Sequence, residues 1–238
     1  DHILVTGGAG FIGSACCHRL IQAGTDVTCL DSMDHGSTDR AAKLRHLRAA
    51  RSTAADGAET GDLRLIESDV RNTETLDDIL SDDVDAIIHL AALAGVRGSI
   101  DRPSMYIDIN EGGTMSILSA ARRHGVDPVI LAGSSSVYGA SGVEGPCHEG
   151  QAADAPTSPY AASKRSMELH ARAFSHLHSL SVSVLRFFTV YGPRQRPDMA
   201  IRKFMERIHH GDPLPLYGDG SSCRCYTYID DAVDGILR

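Results

Sequence analysis

No part of the chain approaches the roughly 18 consecutive apolar residues of a membrane span, and no charged leader precedes a long apolar segment. Membrane spanning and secretion are therefore unsupported, and the expected location is the cytoplasm. Positive charge is also scarce: 23 Lys and Arg stand against 31 Asp and Glu, a formal charge of −8. With no Lys/Arg block, nucleic acid is not an expected partner, and any anionic ligand must be met by locally placed arginines. The six cysteines lack paired C-x-x-C spacing, which leaves no basis for a zinc site or any other metal. Cys16, Cys17 and Cys29 read as small buried hydrophobes, and Cys223 and Cys225 as two free thiols. What is plentiful is hydrophobic residues, at 42%, enough for one large or two small domains with a sizeable core.

Apolar runs at Ile3 to Thr6, Val27 to Leu30, Leu63 to Ile66, Ala86 to Leu90, Val129 to Leu131 and Val182 to Phe187 alternate with segments of helical period. Continuous runs suit strands buried on both faces, so the predicted fold class is α/β, a doubly wound parallel sheet. Helices are predicted from Phe11 to Ala23, from Pro103 through Met105 to His124, and from Tyr160 to Leu177 behind a capping Ser158 and an N1 Pro159. Ala49 to Gly61 lacks periodicity and reads as a surface loop. After Phe188, Gly and Pro become frequent. The expected organisation is a main domain over 1–188, part of a smaller substrate lobe over 189–228, and a return to the main domain over 229–238, with a further C-terminal portion expected beyond Arg238.

The first candidate site is Thr6 to Gly13, Thr-Gly-Gly-Ala-Gly-Phe-Ile-Gly, directly after Ile3-Leu4-Val5. In a dinucleotide-binding turn of the Rossmann type, Gly7 permits the tight turn, Gly10 lets backbone approach a pyrophosphate, and Gly13 lets helix and strand pack closely. The helix N-terminus, with Phe11 and Ile12, then faces the phosphates. Asp31 ends the next apolar run, with Ser32 beside it. A carboxylate there would bond both ribose hydroxyls and repel a 2′-phosphate, so the expected cofactor is NAD rather than NADP.

The second is Tyr160-Ala-Ala-Ser-Lys164, which puts a phenol and an ammonium on one helix face. Ser134, Ser135 and Ser136 follow the fifth strand, and ligands sit at the carboxyl ends of strands in such sheets. Ser134, Tyr160 and Lys164 are the candidate catalytic groups. A nearby Lys⁺ and the positive nicotinamide ring would both favour the phenolate, letting Tyr160 act as a base near neutral pH while Lys164 also bonds the nicotinamide ribose.

From Ile3 onward the chain resembles the extended short-chain dehydrogenase/reductase family. Within it, His89 to Arg97, Tyr106 to Asn110, Leu185 to Pro193, Arg196 to Met199 and Tyr226 to Asp231 look like segments of UDP-glucuronate 4-epimerases. By that resemblance Asp69 and Val70 contact adenine, Leu90, Ala91 and Ala92 line the cofactor, and Asn110 is a structural and relay asparagine. Thr189 stands where galactose-type epimerases carry asparagine, Leu216 and Tyr217 fall where relatives hold uracil, and Arg224 matches an arginine that binds the diphosphate. Two departures are Leu93, where many glucuronate epimerases have glutamine, and Cys225, where an aspartate is common. A homodimer through the helices Met105 to His124 and Tyr160 to Leu177 is implied in the same way.

The triplet Ser134 to Ser136 contains no carboxylate, whereas relatives that dehydrate or decarboxylate sugars carry one there. The implied activity is inversion of C4 of UDP-glucuronate to UDP-galacturonate through a 4-keto sugar, with tightly retained NAD. Arg196, with Thr189 and Ser135 or Ser136, is the candidate clamp for the sugar carboxylate, and Arg97 and Arg194 are further candidates. The alternatives are an epimerase of UDP-glucose or a UDP-N-acetylhexosamine, a UDP-glucuronate decarboxylase, and a non-catalytic NAD-binding protein.

Overall fold

A computed structural model of the chain describes residues 1–34, 39–52, 60–143, 145–216, 218–220 and 223–238. Each of the six apolar runs forms a strand: β1 (His2–Thr6), β2 (Asp26–Asp31), β3 (Leu63–Glu67), β4 (Ala86–His89), β5 (Val129–Ser134) and β6 (Val182–Phe187). They join in one all-parallel sheet ordered β3-β2-β1-β4-β5-β6. The order reverses between β1 and β4, and the crevice beyond the carboxyl ends of those strands is where such sheets take ligands.

Helices cover both faces because the strands are apolar on both. They are α1 (Phe11–Gln22), α2 (Arg40–Ser52), α3 (Thr73–Leu80), α4 (Val96–Asp101), α5 (Pro103–Tyr106), α6 (Gly112–His124), α7 (Pro159–His178), α8 (Ala200–His210) and α9 (Ile229–Leu237). One core joins α1 and α9 to the sheet around Val5, Cys17, Ile21, Cys29, Ile88 and Val233; the other joins α3, α6 and α7 around Leu76, Ile79, Ile87, Ile117, Leu118 and Met167. Burying one such aliphatic side chain is worth about 1.5–3 kcal/mol. The α/β doubly wound class read from the runs is the fold observed. Cys16, Cys17 and Cys29 are fully buried in the first core, and burial pushes the Cys16 thiol up to about 12.

Two predicted elements differ. The helix preceding Ala49 continues as α2 to Ser52, since Ala49-Ala50-Arg51 are strong helix formers; of the expected loop, residues 53–59 lie outside the described residues. The predicted Pro103 to His124 helix is three pieces, with a π-helical turn at Ile107–Glu111 between α5 and α6. That turn carries Asn110, as functional π-turns often do. The capping serine is found as read: Ser158 Oγ accepts from Ala161 N at 3.1 Å, and Pro159 opens α7.

After β6 the chain forms β7 (Thr189–Tyr191), which pairs in parallel with β8 (Tyr226–Tyr228) in a separate two-stranded sheet. Between them α8 is amphipathic yet buries none of its residues. The chain then enters α9, whose Val233 and Ile236 are buried and whose Asp234 meets Arg19 of α1 at 2.6 Å. No helix among the described residues is long and apolar enough to cross a membrane.

Candidate active site

The turn after β1 is built by steric necessity. Gly7 sits at φ +66°, where a Cβ would fall 2.7 Å from Ala91 N, so β1 and the segment after β4 touch through bare backbone. A Cβ on Gly13 would strike the Gly7 carbonyl, and the Gly10 N–H closes the turn on Gly7 O at 2.9 Å. Phe11 and Ile12 open α1, leaving first-turn N–H groups without intrahelical partners at the mouth of the turn. This is a cradle that only glycine permits, and it fits a dinucleotide pyrophosphate.

Asp31 ends β2 with its carboxylate held on three sides. Oδ2 accepts from Ala9 N at 3.1 Å, and Oδ1 accepts from Met33 N at 2.9 Å and from Lys43 Nζ at 3.1 Å. Both side chains of that ion pair are buried, at 6% and 8% exposure. Lys43 was invisible to sequence reasoning, because α2 brings it back across the end of β2. Ser32 is half-buried beside Asp31, and Val70 is packed inside. Asp69 is engaged by Arg71 through two side-chain bonds of 2.8 and 2.7 Å. Leu90, Ala91 and Ala92 follow β4 directly, next to Gly7.

A chain of hydrogen bonds runs from this turn to the tyrosine helix. Ala91 N donates to Thr6 Oγ1 (3.3 Å), which bonds His89 Nδ1 (2.7 Å); His89 Nε2 reaches Thr114 Oγ1 (3.2 Å), which donates to Asn110 O (2.7 Å). This network places the His89 proton on Nε2. Burial, with the Lys164 charge nearby, lowers His89 to about 3, so it is neutral. Asn110 clamps the Leu93 backbone at both N (2.7 Å) and O (3.1 Å) and donates to Ser163 Oγ at 3.0 Å, which in turn donates to Tyr160 O at 2.9 Å. The departure at Leu93 therefore leaves its backbone anchoring intact.

Ser134 ends β5, where its neighbours in register are Phe187 and, one step back, Gly133 opposite Arg186. Its hydroxyl donates to Ser136 Oγ at 3.1 Å and accepts from Ser136 N at 3.2 Å. Tyr160 and Lys164 lie one turn apart on α7. Lys164 Nζ is buried and donates to Ala132 O at 2.7 Å, and desolvation lowers it to about 8. Tyr160 packs edge-on against Tyr106, with ring centroids 6.2 Å apart. Burial raises its phenol above the ordinary tyrosine value; the Ser134 hydroxyl and the Arg196 charge pull it back down. For the protein without cofactor, desolvation of Tyr160 outweighs the groups that lower its phenol, and Lys164 gives one of its N–H donors to a β5 carbonyl.

The arginines divide. Arg196 lies close enough for its charge to act on both Tyr160 and Tyr106, and Asp198 holds it through bonds of 3.0 and 2.8 Å. Arg194 acts instead on His18 and His46 of α1 and α2. Arg97 is exposed on α4. Thr189 is half-buried at the start of β7. Leu216 is 74% exposed, and Arg224 is exposed and bonds the Cys223 carbonyl at 2.7 Å, so neither is gathered to the tyrosine. Tyr217 lies outside the described residues.

A UDP-glucuronate 4-epimerase of Thermodesulfobacterium geofontis is 37% identical over 239 residues, covering 99% of this chain and 70% of that protein. Among solved structures, a mutant UDP-glucuronic acid 4-epimerase from Bacillus cereus, in complex with UDP-4-deoxy-4-fluoro-glucuronic acid and NAD, superposes with a TM-score of 0.89 at 34% identity, over 100% of this chain and 72% of that one. A UDP-N-acetylglucosamine 4-epimerase from Methanobrevibacter ruminantium, in complex with UDP-N-acetylmuramic acid, gives 0.87 at 32%, with the same coverage. The family model described as "NAD dependent epimerase/dehydratase family" matches residues 3–238. The cofactor expected from the glycine turn and Asp31 is the one this family uses, and the chain belongs to the NAD dependent epimerase/dehydratase family.

Proposed function

We propose that the protein is a nucleotide-sugar 4-epimerase that inverts C4 of UDP-glucuronate to give UDP-galacturonate. The observation that carries the substrate choice is the Arg196 charge, close enough to act on the Tyr160 phenol, together with a serine triplet that has no carboxylate. A sugar whose O4 meets Tyr160 has its C6 carboxylate two carbons away, within the region Arg196 commands.

In this reading Tyr160 takes the proton from O4 and later returns it, and Ser134 bonds O4 and helps carry that proton. Bound NAD supplies the acceptor, and then the donor, of the C4 hydride. Gly7, Gly10, Phe11, Ile12 and Gly13 cradle its pyrophosphate; Asp31, braced by Lys43, and Ser32 take the ribose; Asp69, Val70 and Leu90 to Ala92 line it. Lys164 and Asn110 hold the tyrosine helix and the segment after β4. Thr189, Ser135 and Ser136 join Arg196 around the carboxylate. A 4-keto glucuronate is a β-keto acid and loses CO₂ when the carboxylate bond stands perpendicular to the ketone; a two-bond guanidinium grip prevents that rotation. Leu216, Tyr217 and Arg224 are assigned to the UDP, with Arg97 at the rim. The protein acts in this reading as a homodimer in the cytoplasm.

A second reading rests on Asp198. Because that carboxylate already satisfies Arg196 through two bonds, the arginine has a partner without any sugar acid, which favours a UDP-glucose or UDP-N-acetylhexosamine epimerase. Proton NMR of the purified protein with UDP-glucuronate and NAD decides between them. An H4 that changes from axial to equatorial with C6 retained supports the first reading; a pentose product assigns decarboxylation. Turnover of UDP-glucose but not of UDP-glucuronate transfers the assignment to a neutral sugar.

A further inference from the structure

Two turns beyond Tyr160, α7 carries Glu168, which is buried although it is a carboxylate. It receives two bonds from Arg186 of β6, Nε to Oε1 at 2.7 Å and NH2 to Oε2 at 2.8 Å, and one from Arg165 at 2.7 Å. Arg186 does more than neutralise it. Its guanidinium lies 4.9 Å above the centre of the Tyr138 ring and donates to Glu149 O at 3.3 Å. Tyr138 sits four residues past Ser134 in the 3-10 segment Ser135–Val143, donates to His148 O at 3.2 Å, and stacks on Phe188 with ring centroids 6.4 Å apart. In register, Arg186 lies opposite Gly133, the residue before Ser134, and three residues ahead of Thr189. One guanidinium thus touches the tyrosine helix, the strand leading to Thr189 and the turn carrying Ser134.

The cluster is rich in cations and short of anions. Arg165 has a second partner in Asp154 at 3.3 Å, but that carboxylate is 80% exposed, and the buried Arg165 Nε has no hydrogen-bond partner among the described residues. Glu168 is therefore the group on which the arrangement closes. Removing its charge frees Arg186 from α7 and leaves two guanidiniums without their buried anion, a costly state.

We propose that Glu168 is a positioning residue which, with Arg186 as the link and Tyr138 as the contact on the far side, sets the Ser134 turn against the helix that carries Tyr160. This rests on the reading of Ser134 and Tyr160 as the proton-transfer pair, and it holds for any C4 epimerase substrate. Displacing a reacting group by an ångström from a distance costs on the order of a hundredfold in rate. Glu168 touches neither group directly, so the loss falls on kcat rather than on binding.

The test compares Glu168→Gln, Tyr138→Leu and Arg165→Met in the purified protein, measuring kcat and KM for UDP-glucuronate and UDP-glucose, retained NAD, and thermal unfolding. Glu168→Gln and Tyr138→Leu are expected to lower kcat by about tenfold or more with KM and NAD content unchanged. Arg165→Met, which removes the partner that does not reach the Ser134 turn, is expected to lower the melting temperature but leave kcat within about twofold. An unchanged kcat in Glu168→Gln, or an equal loss in Arg165→Met, overturns the proposal, since the cluster would then only stabilise the fold. Should Glu168→Gln fail to fold, Tyr138→Leu decides alone: it keeps the ion pair and cuts the link, so an unchanged kcat overturns the proposal. If the parent protein turns over only UDP-glucose, the substrate assignment fails while the kcat ratios still decide the brace. If it turns over neither sugar, the functional reading fails, and the brace is read from unfolding of the Glu168→Gln/Tyr138→Leu double variant. Both side chains contact Arg186, so a combined loss smaller than the sum upholds the link and strict additivity overturns it.

Discussion

The carboxyl end of the main sheet and the segment between β7 and β8 are built on opposite plans. At the sheet end, Thr6, His89, Asn110, Ser163 and Lys164 are all buried and bonded to one another or to strand carbonyls. Between β7 and β8, α8 has no fully buried residue, Met205 and Ile208 are 66% and 64% exposed, and Arg224 bonds the neighbouring Cys223 carbonyl. The first region is held in place by bonds between buried groups. The second turns inward ahead of α8, at Gln195 and Arg196, and leaves the side chains of Met205, Ile208 and Arg224 exposed. Order of this kind also explains why the site carries shifted groups: burying Lys164 and His89 and desolvating the Tyr160 phenol moves each toward its neutral form.

The comparison is broken most severely at Tyr160. In Tyr160→Phe, kcat is expected to fall by about 10² to 10⁴ with retained NAD and melting temperature unchanged, because only the proton-carrying oxygen is lost; steady-state kinetics beside cofactor content checks this. Next in size, His89→Asn leaves Thr6 or Thr114 short of a partner and is expected to cost about 1–3 kcal/mol in urea unfolding. The sign of its pH dependence follows from its lowered folded value. His89 is neutral in the fold down to about 3 but charges near 6.5 when unfolded, so its contribution is complete above 6.5 and is lost as pH falls toward 3. The variant should show a shallower loss of stability across that window.

A subtler effect separates the protein alone from its loaded state. Without cofactor the Tyr160 phenol is raised while Lys164 falls to about 8, so the ammonium should lose its proton first. Tyrosinate absorbance, taken as the difference between parent and Tyr160→Phe, should appear only above the ordinary tyrosine range and move down in pH on NAD loading. No downward movement would leave Tyr160 without a route to the phenolate near neutral pH. Least affected, Ile208→Gln on the open face of α8 is expected to shift stability by no more than about 0.5 kcal/mol, measurable by thermal unfolding; a large loss would show that this face is covered in solution.

Much of this was legible before any coordinates. The strands were readable because each is a continuous apolar run, and the glycine turn because only glycine satisfies three crowded backbone positions in a short stretch. The Tyr160–Lys164 spacing is a helical repeat. Less accessible were the groups that arrive from a distance: Lys43 on Asp31, Glu168 on Arg186, Tyr138 beneath that arginine, and the Thr6–His89–Thr114 chain. Each pairs residues far apart in sequence, and none has a local pattern. The length of α2 and the π-helical turn at Asn110 were missed because helix ends and insertions depend on neighbours more than on propensity.

By itself, then, the order of residues determined the sheet, the turn that suits a dinucleotide and the helical spacing of Tyr160 and Lys164, all of which follow from local periodicity and backbone sterics. Only the tertiary structure decided how those side chains are charged and held. It desolvates the Tyr160 phenol and raises its pKa, turns Lys164 onto the Ala132 carbonyl, ties Arg196 to Asp198 and leaves Arg224 exposed. Desolvation and charge proximity depend on which distant groups the fold brings together, and no local stretch of sequence contains that information.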